Sequence, residues 1–386
     1  MPIVPMRPLL DAARTHRFAH GAFNVNAVAQ AKAVIETHEM FRSAAILQGA
    51  DLANAFMGGR EDFKNGTLED KKRGAKRIAD AVRRFGEDSP IPIALHLDHG
   101  KDFDSVKAAI DNGYTSVMID GSHLSYDDNV DLTREVVRYA HPLGVTVEGE
   151  LGVLAGVEDN VFSATSTYTN PMLVCDFFRK TGVDCLAIAY GTKHGAQKGK
   201  NVEIRGEIPI ASMENLSHEG LPGVLVSHGS STVPRYIVDE INALGGKLEN
   251  AFGIPVEQLQ GVIPHGIGKI NIDTDIRLAV TRNIREYFSL NPGKKESPSI
   301  GPIWTLMEEH ADQFDPRVYL PPIMPTLLTG EIPGEDVAAI VDCIERGVRE
   351  IVGTMIVRFG SVGFAPRIEQ VTLEQMAERY RKAGDV

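Results

Sequence analysis

Short apolar runs that end in small or polar residues recur along the chain at intervals suited to alternating strands and helices. Eight have the near-continuous apolar character of strands buried on both faces: GAFNVN from Gly21, AAILQG from Ala44, IPIALHLDHG from Ile91, SVMIDGS from Ser116, VTVEGELG from Val145, CLAIAYGTKHG from Cys185, GVLVSHGSS from Gly223 and GIGKINIDT from Gly266. Between them the apolar period becomes helical. In DFDSVKAAIDNG, Val106, Ala109 and Ile110 form one stripe and Gly113 supplies a stop. Similar patterns run from Asp127 to Ala140, Pro171 to Lys180 and Val233 to Leu244. Strand and helix alternating eight times predict the α/β class and a closed (β/α)8 TIM barrel over residues 1–290, rather than an open doubly wound sheet.

The pattern shifts after Leu290. Eight of the 21 prolines fall between Pro292 and Pro333, with the only tryptophan, Trp304, among them. This predicts a Pro-rich extended arm or excursion over 291–333, placed to pack on another subunit of a homo-oligomer, a dimer or tetramer. A C-terminal helical extension, 334–386, follows it: EDVAAIVDCIERGVREIV, a break at FGSVGFAP, and a last helix from Leu373 to Lys382 that packs on the barrel.

Composition narrows the function classes. The 43% hydrophobic and 24% charged residues are globular proportions, so a sizeable core is expected. Fifty-two acidic against 40 basic side chains leave a formal charge of −12, which repels nucleic acid and anionic membranes on average while allowing a local anion pocket. Cys175, Cys185 and Cys343 are too dispersed for a disulfide scaffold. No run reaches the ~20 apolar residues of a membrane span, and the first residues lack an apolar signal core, so a cytoplasmic setting is expected. The dinucleotide fingerprint and the P-loop are both missing.

Candidate chemistry gathers where the strands end, at the face on which barrel active sites form. The third strand ends in His96-Leu97-Asp98-His99, the fourth reaches Asp120, and the fifth carries Glu148 and Glu150. His194 follows the sixth, His228 ends the seventh, and the eighth presents Asn271, Asp273 and Thr274. Three histidines on three strand ends, beside carboxylates, suit one divalent ion acting as a Lewis acid; the bland alternative is that each bonds nearby backbone. Strand alternation puts Asp98 and His99 on opposite faces unless the chain bends at Gly100. Gly191–Gly195 with Lys198, and His228–Thr232, form small-residue loops whose N–H groups and hydroxyls suit a phosphate.

HLDHG, SVMIDGSHLSYDDNV, VEGELGVLAGVED, AIAYGTKHG, LVSHGSS and KINIDTD occur in that order, and through them the chain resembles the class II, metal-dependent fructose-bisphosphate aldolases. Tagatose-bisphosphate aldolases share most of these blocks, and FGSVGFAPRI is similar to the ending of the longer, Calvin-cycle-like branch. The resemblance implies that His99, His194 and His228 hold one catalytic zinc ion, that Asp98 is the acid/base at the C4 hydroxyl, and that Glu158 exchanges the C3 proton of dihydroxyacetone phosphate. It implies that Asp120 and Glu150 support the metal or form a secondary site for a second divalent or a monovalent cation. It also implies sugar-phosphate contacts at Asn24, Gly195, Lys198, Gly229, Ser231, Asn271, Asp273 and Thr274.

Two departures matter. Where the family has serine in its ILQxS segment, this chain has Ala50, followed by Asp51. The family's arginine for the distal phosphate has no clean match, and Arg358 is the nearest candidate. The expected activity is reversible cleavage of fructose 1,6-bisphosphate, with tagatose bisphosphate or another ketose 1-phosphate as the alternative substrate. Rivals of other classes are a metal-dependent barrel hydrolase, against which the phosphate-type loops speak, and a silent metabolite-binding relative, against which the full set of histidines and Asp98 speaks. A Schiff-base lysine would need a desolvated lysine on a strand, for which Lys269 is the residue to examine.

Overall fold

The computed structural model describes residues 3–154, 156–158, 161–163, 167–199 and 202–384, of which 156–158 and 161–163 are described by backbone alone. All eight apolar runs form strands: β1 (His20–Asn24), β2 (Ala45–Ala50), β3 (Ile93–Gly100), β4 (Ser116–Ile119), β5 (Thr146–Leu151), β6 (Cys185–Ile188), β7 (Val224–Ser227) and β8 (Ile267–Ile272). They close into one parallel barrel in chain order, with β1 pairing β8 through His20↔Lys269 and Phe23↔Ile272. The chain is a (β/α)8 barrel. Between β5 and β6, Gly156–Glu158 and Val161–Ser163 add a small antiparallel hairpin.

Alternation along each strand separates two interiors. Leu95, Leu97, Val147, Leu225, Ile270 and Ile272 point outward into the layer shared with the helices. Ala22, Ile46, Ala94, Met118, Ala187 and Val226 fill the lower barrel, where Leu9, Leu10 and Ala13 of the helix Arg7–His16 close its N-terminal end. Higher up, the inward positions turn polar. The stripe anticipated around Val106 lies on the helix Phe103–Asp111, started by Asp102 accepting from the Ser105 N–H and followed by Gly113 at φ +90°.

The N-terminal mouth is tied together by Asp184. Its carboxylate accepts from Arg7 Nη1 (2.8 Å), His141 Nε2 (3.0 Å), the Val147 N–H (2.7 Å) and Tyr380 Oη (2.9 Å). Tyr380 comes from the last helix, Leu373–Ala383, and stacks on His141 with centroids 3.6 Å apart.

The Pro-rich stretch differs in conformation from the extended arm expected of it. It is a series of short helices, Gly301–Glu309, Pro316–Tyr319 and Met324–Thr329, with single 3-10 turns at Pro292–Glu296 and Pro321–Ile323. Each carries a proline at its first or second position, where the missing N–H has no intrahelical partner to lose. Ile300, Ile303, Met307, Tyr319, Ile323 and Leu327 are buried in the same core as the barrel helices. The long helix Glu335–Arg358 then packs on helices Val28–Phe41 and Thr274–Leu290, behind the β1–β8 seam.

Candidate active site and metal centre

The C-terminal mouth is built around the end of β3. His99 adopts φ +49°, a left-handed conformation that costs a non-glycine residue on the order of 1–3 kcal/mol, and the β3–β4 register slips between Leu97 and Gly100. This is the bend that alternation required. It turns Asp98 and His99 toward one space, and Gly100 is needed there because a Cβ would lie 2.4 Å from the Met118 carbonyl oxygen.

Hydrogen bonds set the histidine tautomers. His228 Nε2 donates to Glu148 Oε1 at 2.6 Å, leaving Nδ1 with its lone pair; His99 Nδ1 faces Asp120 Oδ2 at 3.3 Å, leaving Nε2. Those two nitrogens lie 3.0 Å apart. Two lone pairs at that distance repel unless a cation or proton sits against them, and a carboxylate behind each ring is the usual backing for a metal-ligating imidazole. His194 stands edge-on to His99 with centroids 5.4 Å apart, so rings from three strand ends meet. Candidate ligand atoms of Asp98, His99 and His228 all lie within 4.8 Å of one another, as do those of His99, Asp120 and Glu150; His194 belongs to neither set. The donor types and their backing fit a divalent ion.

The electrostatics point the same way. Burial is the largest influence on His99 and opposes its charge, yet Asp98, Asp120 and Glu150 raise its pKa well above the ordinary value. Burial together with the neighbouring Asp120 pushes Glu150 well up. Glu148 is also fully buried, but Lys269 and the bond from His228 hold it below the usual carboxylate range. A pocket that draws a proton to histidine through three carboxylates draws a metal cation by the same field.

From this pocket a polar chain runs across the mouth. Asp98 Oδ1 accepts from Asn271 Nδ2 at 3.0 Å and Oδ2 from Gln48 Nε2 at 3.2 Å. Gln48 also donates to Asn24 Oδ1 (3.0 Å), whose Nδ2 donates to Asp273 Oδ2 (3.0 Å). Asp273 pairs with Arg277, Arg277 with Asp315 at 3.3 Å, and Asp315 with Arg317 at 2.8 Å. Lys269, fully buried, reaches Glu148 Oε2 at 3.0 Å and Asn271 Oδ1 at 2.8 Å. Its Nζ is thus engaged in an ion pair and an amide contact rather than left as the unpaired, desolvated amine a Schiff base needs.

The small-residue loops lie beside this chain. Gly229 at φ +59° approaches the backbone of Lys193 so closely that a Cβ would fall 2.6 Å from its carbonyl carbon. Lys198 Nζ donates to the carbonyls of Lys193 and Gly229, tying the two loops together. Asp275 accepts from the Thr232 N–H and hydroxyl (both 2.9 Å) and the Val233 N–H (2.7 Å), holding Val233 at φ +48°. Gly195 lies in the first loop, Ser231 in the second, and Thr274 opens the helix after β8.

Three positions need separate mention. Glu158 falls on the first hairpin strand, and its side chain lies outside the described residues. Ala50 is buried in register with Asp98, while Asp51 pairs with Lys71 of helix Leu68–Gly86 at 2.7 Å. Arg358 stands away from the place expected of it. It ends the helix Glu335–Arg358 exposed at the opposite mouth, where the adjacent Phe359 carbonyl accepts from the Ala19 N–H just ahead of β1. Two cations not anticipated at the C-terminal mouth, Arg277 and Arg317, lie at the end of the polar chain instead. Arg277 is signalled by its helical i,i+4 spacing from Asp273; Arg317 lies in the Pro-rich stretch, whose composition gives no sign of a site.

Comparison with known proteins is decisive. The family profile described as Fructose-bisphosphate aldolase class-II matches residues 4–329. The chain belongs to that family. It is 36% identical over 389 residues to fructose-bisphosphate aldolase of Giardia intestinalis, covering 99% of this chain and 100% of that one. It is 35% identical over 359 residues to that of Thermus caldophilus, covering 92% and 98%. The fold is similar to the crystal structure of fructose-bisphosphate aldolase from Campylobacter jejuni, with TM-score 0.65, 21% identity, and 94% and 96% coverage. Family membership makes the chain an aldolase acting on a sugar phosphate, and metal dependence is general in the family. Among the described residues no helix is long and apolar enough to cross a membrane.

Proposed function

We propose that the chain is a zinc-dependent aldolase that reversibly cleaves fructose 1,6-bisphosphate into dihydroxyacetone phosphate and glyceraldehyde 3-phosphate. The supporting observation is the meeting of a cation pocket, His99 Nε2 and His228 Nδ1 3.0 Å apart, with the buried Asp98 carboxylate. His99, His194 and His228 hold one ion per chain, and Asp120 with Glu150 supports it or takes a second cation. When bound, the ion supplies Lewis-acid stabilisation of the negative charge that builds on a carbonyl oxygen as the C3–C4 bond opens.

The chain's own residues move the protons. Asp98 takes the C4 hydroxyl proton during cleavage and returns it during condensation, its two oxygens aimed by Asn271 and Gln48. Glu158 exchanges the C3 proton of dihydroxyacetone phosphate. Backbone N–H groups at Gly195 and Gly229, with Ser231 and Thr274, take one phosphate, and Lys198 stiffens those loops. Asn24, Asn271 and Asp273 face the sugar hydroxyls. Arg277 and Arg317, rather than Arg358, receive the distal phosphate. We place the working enzyme in the cytoplasm as a homo-oligomer, a dimer or tetramer.

Ala50 favours a second substrate reading, tagatose bisphosphate or a ketose 1-phosphate, because no hydroxyl stands beside Asp98 where the family has one. The test is to assay cleavage of fructose and tagatose bisphosphates side by side, before and after chelation. Expected are about one zinc per chain, loss of turnover on chelation, and recovery with zinc or cobalt. Full activity in metal-free protein, or borohydride trapping of substrate on a lysine, overturns the proposal.

A further inference from the structure

Beneath the pocket, Lys269 does two things at once. Its Nζ donates to Asn271 Oδ1 at 2.8 Å, which fixes the amide so that Nδ2 faces Asp98 Oδ1 at 3.0 Å; a flipped amide would set its oxygen against a carboxylate. It also lies 3.0 Å from Glu148 Oε2, while the other oxygen of that carboxylate accepts from His228 Nε2 at 2.6 Å. The register shift between Ile267 and Lys269 in the β7–β8 pairing accompanies the inward placement of both Lys269 and Asn271. Every group in this set is buried, so none of these orientations is maintained by solvent.

We propose that Lys269 is a positioning residue for the cleavage step: one ammonium holds Asn271 Oδ1 and Glu148 Oε2 together, and thereby fixes the hydrogen bond that Asp98 receives and the nitrogen that His228 turns to the metal pocket. This rests on the zinc-aldolase function proposed above. The competing role is structural, with Lys269 doing no more than balancing the buried charge of Glu148. Both roles predict damage in Lys269→Met, so the double variant Lys269→Met/Glu148→Gln separates them. It removes both charges together, and its residue 148 keeps a carbonyl oxygen that can accept from His228.

Wild type, Lys269→Met and the double variant are compared for bound zinc, thermal stability, kcat and KM. A positioning role predicts that the double variant regains stability and zinc. Its kcat stays ~10²-fold below wild type, the scale of losing one preorganised donor, while KM holds within about 3-fold. Recovery of wild-type kcat in the double variant, or undiminished kcat in Lys269→Met, overturns the proposal. So does failure of the double variant to fold, which would make Lys269 a requirement of the fold itself. A wild type that neither binds zinc nor cleaves a ketose phosphate is a different result, since it removes the proposed function before Lys269 is tested.

Discussion

At the N-terminal mouth, one carboxylate, Asp184, accepts from an arginine, a histidine, a tyrosine and a backbone N–H. At the C-terminal mouth, Asp98, Asp120 and Glu150 crowd His99, whose backbone is left-handed and whose Nε2 faces another imidazole nitrogen. Both mouths bury charge in the same barrel. The lower network closes on itself and joins the first and last helices to the strands. The upper one gathers carboxylates and imidazole nitrogens around one pocket, with local strain, which is how a site prepared for a ligand differs from one that secures a fold.

The comparison breaks first if proton carriers at the upper mouth prove dispensable. Asp98→Ala and Glu158→Ala are each expected to lose ~10²–10⁴-fold in kcat while keeping bound metal. Isotope exchange at C3 of dihydroxyacetone phosphate separates them: Glu158→Ala stops it, whereas Asp98→Ala chiefly slows C–C cleavage. Wild-type exchange in Glu158→Ala would remove that residue from the mechanism.

The reverse experiment is at the lower mouth. Asp184→Ala strands Arg7 and His141 and is expected to cost ~3–5 kcal/mol of stability in urea unfolding, with kcat per folded molecule unchanged. A kcat defect in folded Asp184→Ala would mean that the two mouths are coupled.

Acid sharpens the contrast. His20, at the N-terminal start of β1, is buried with Nε2 donating to the Leu9 carbonyl, and burial lowers its pKa from 6.5 to about 4. The folded value lies below the unfolded one, so its contribution is complete above pH 6.5 and is lost as pH falls toward 4, amounting to roughly 3 kcal/mol. Urea titrations across that window should show the slope, and His20→Gln should make it shallower while the share of His38, which burial lowers to about 4 as well, remains. An unchanged slope would assign the acid sensitivity elsewhere.

The smallest effect concerns Ala50 and Asp51. Ala50→Ser restores one neutral donor worth ~0.5–1.5 kcal/mol and should lower KM for fructose 1,6-bisphosphate modestly. Asp51→Asn should leave KM nearly unchanged, because Asp51 is turned to Lys71. Abolished activity in Asp51→Asn would point to a different sugar phosphate.

The barrel and its upper mouth are readable in the chain because both are local: each strand is a short apolar run, and each candidate ligand sits where a run ends. Even the bend at His99 follows from the clash between alternation and function in HLDHG. The polar chain is different. Gln48, Lys269 and Asp315 each depend on a partner far away in sequence: Asp98 for Gln48, Glu148 for Lys269 and Arg277 for Asp315. Prolines after Leu290 suggested an extended segment because a proline that breaks a helix and one that begins it look alike without its neighbours. Arg358 failed for a related reason: its distance along the chain says nothing about which mouth a 24-residue helix ends at.

The seam between β1 and β8 also sets an order of events during synthesis. Asn24, Gln48 and Asp98 leave the ribosome well before Asn271 and Asp273, which complete their hydrogen bonds, and β1 has no partner on its open side until β8 is made. A nascent chain that stops short of residue 272 therefore carries the first half of the polar interior and an exposed strand edge, with nothing to satisfy either. For such a chain, arrest of translation in the second half of the barrel is a hazard of aggregation, and the last strand is the point at which that hazard ends.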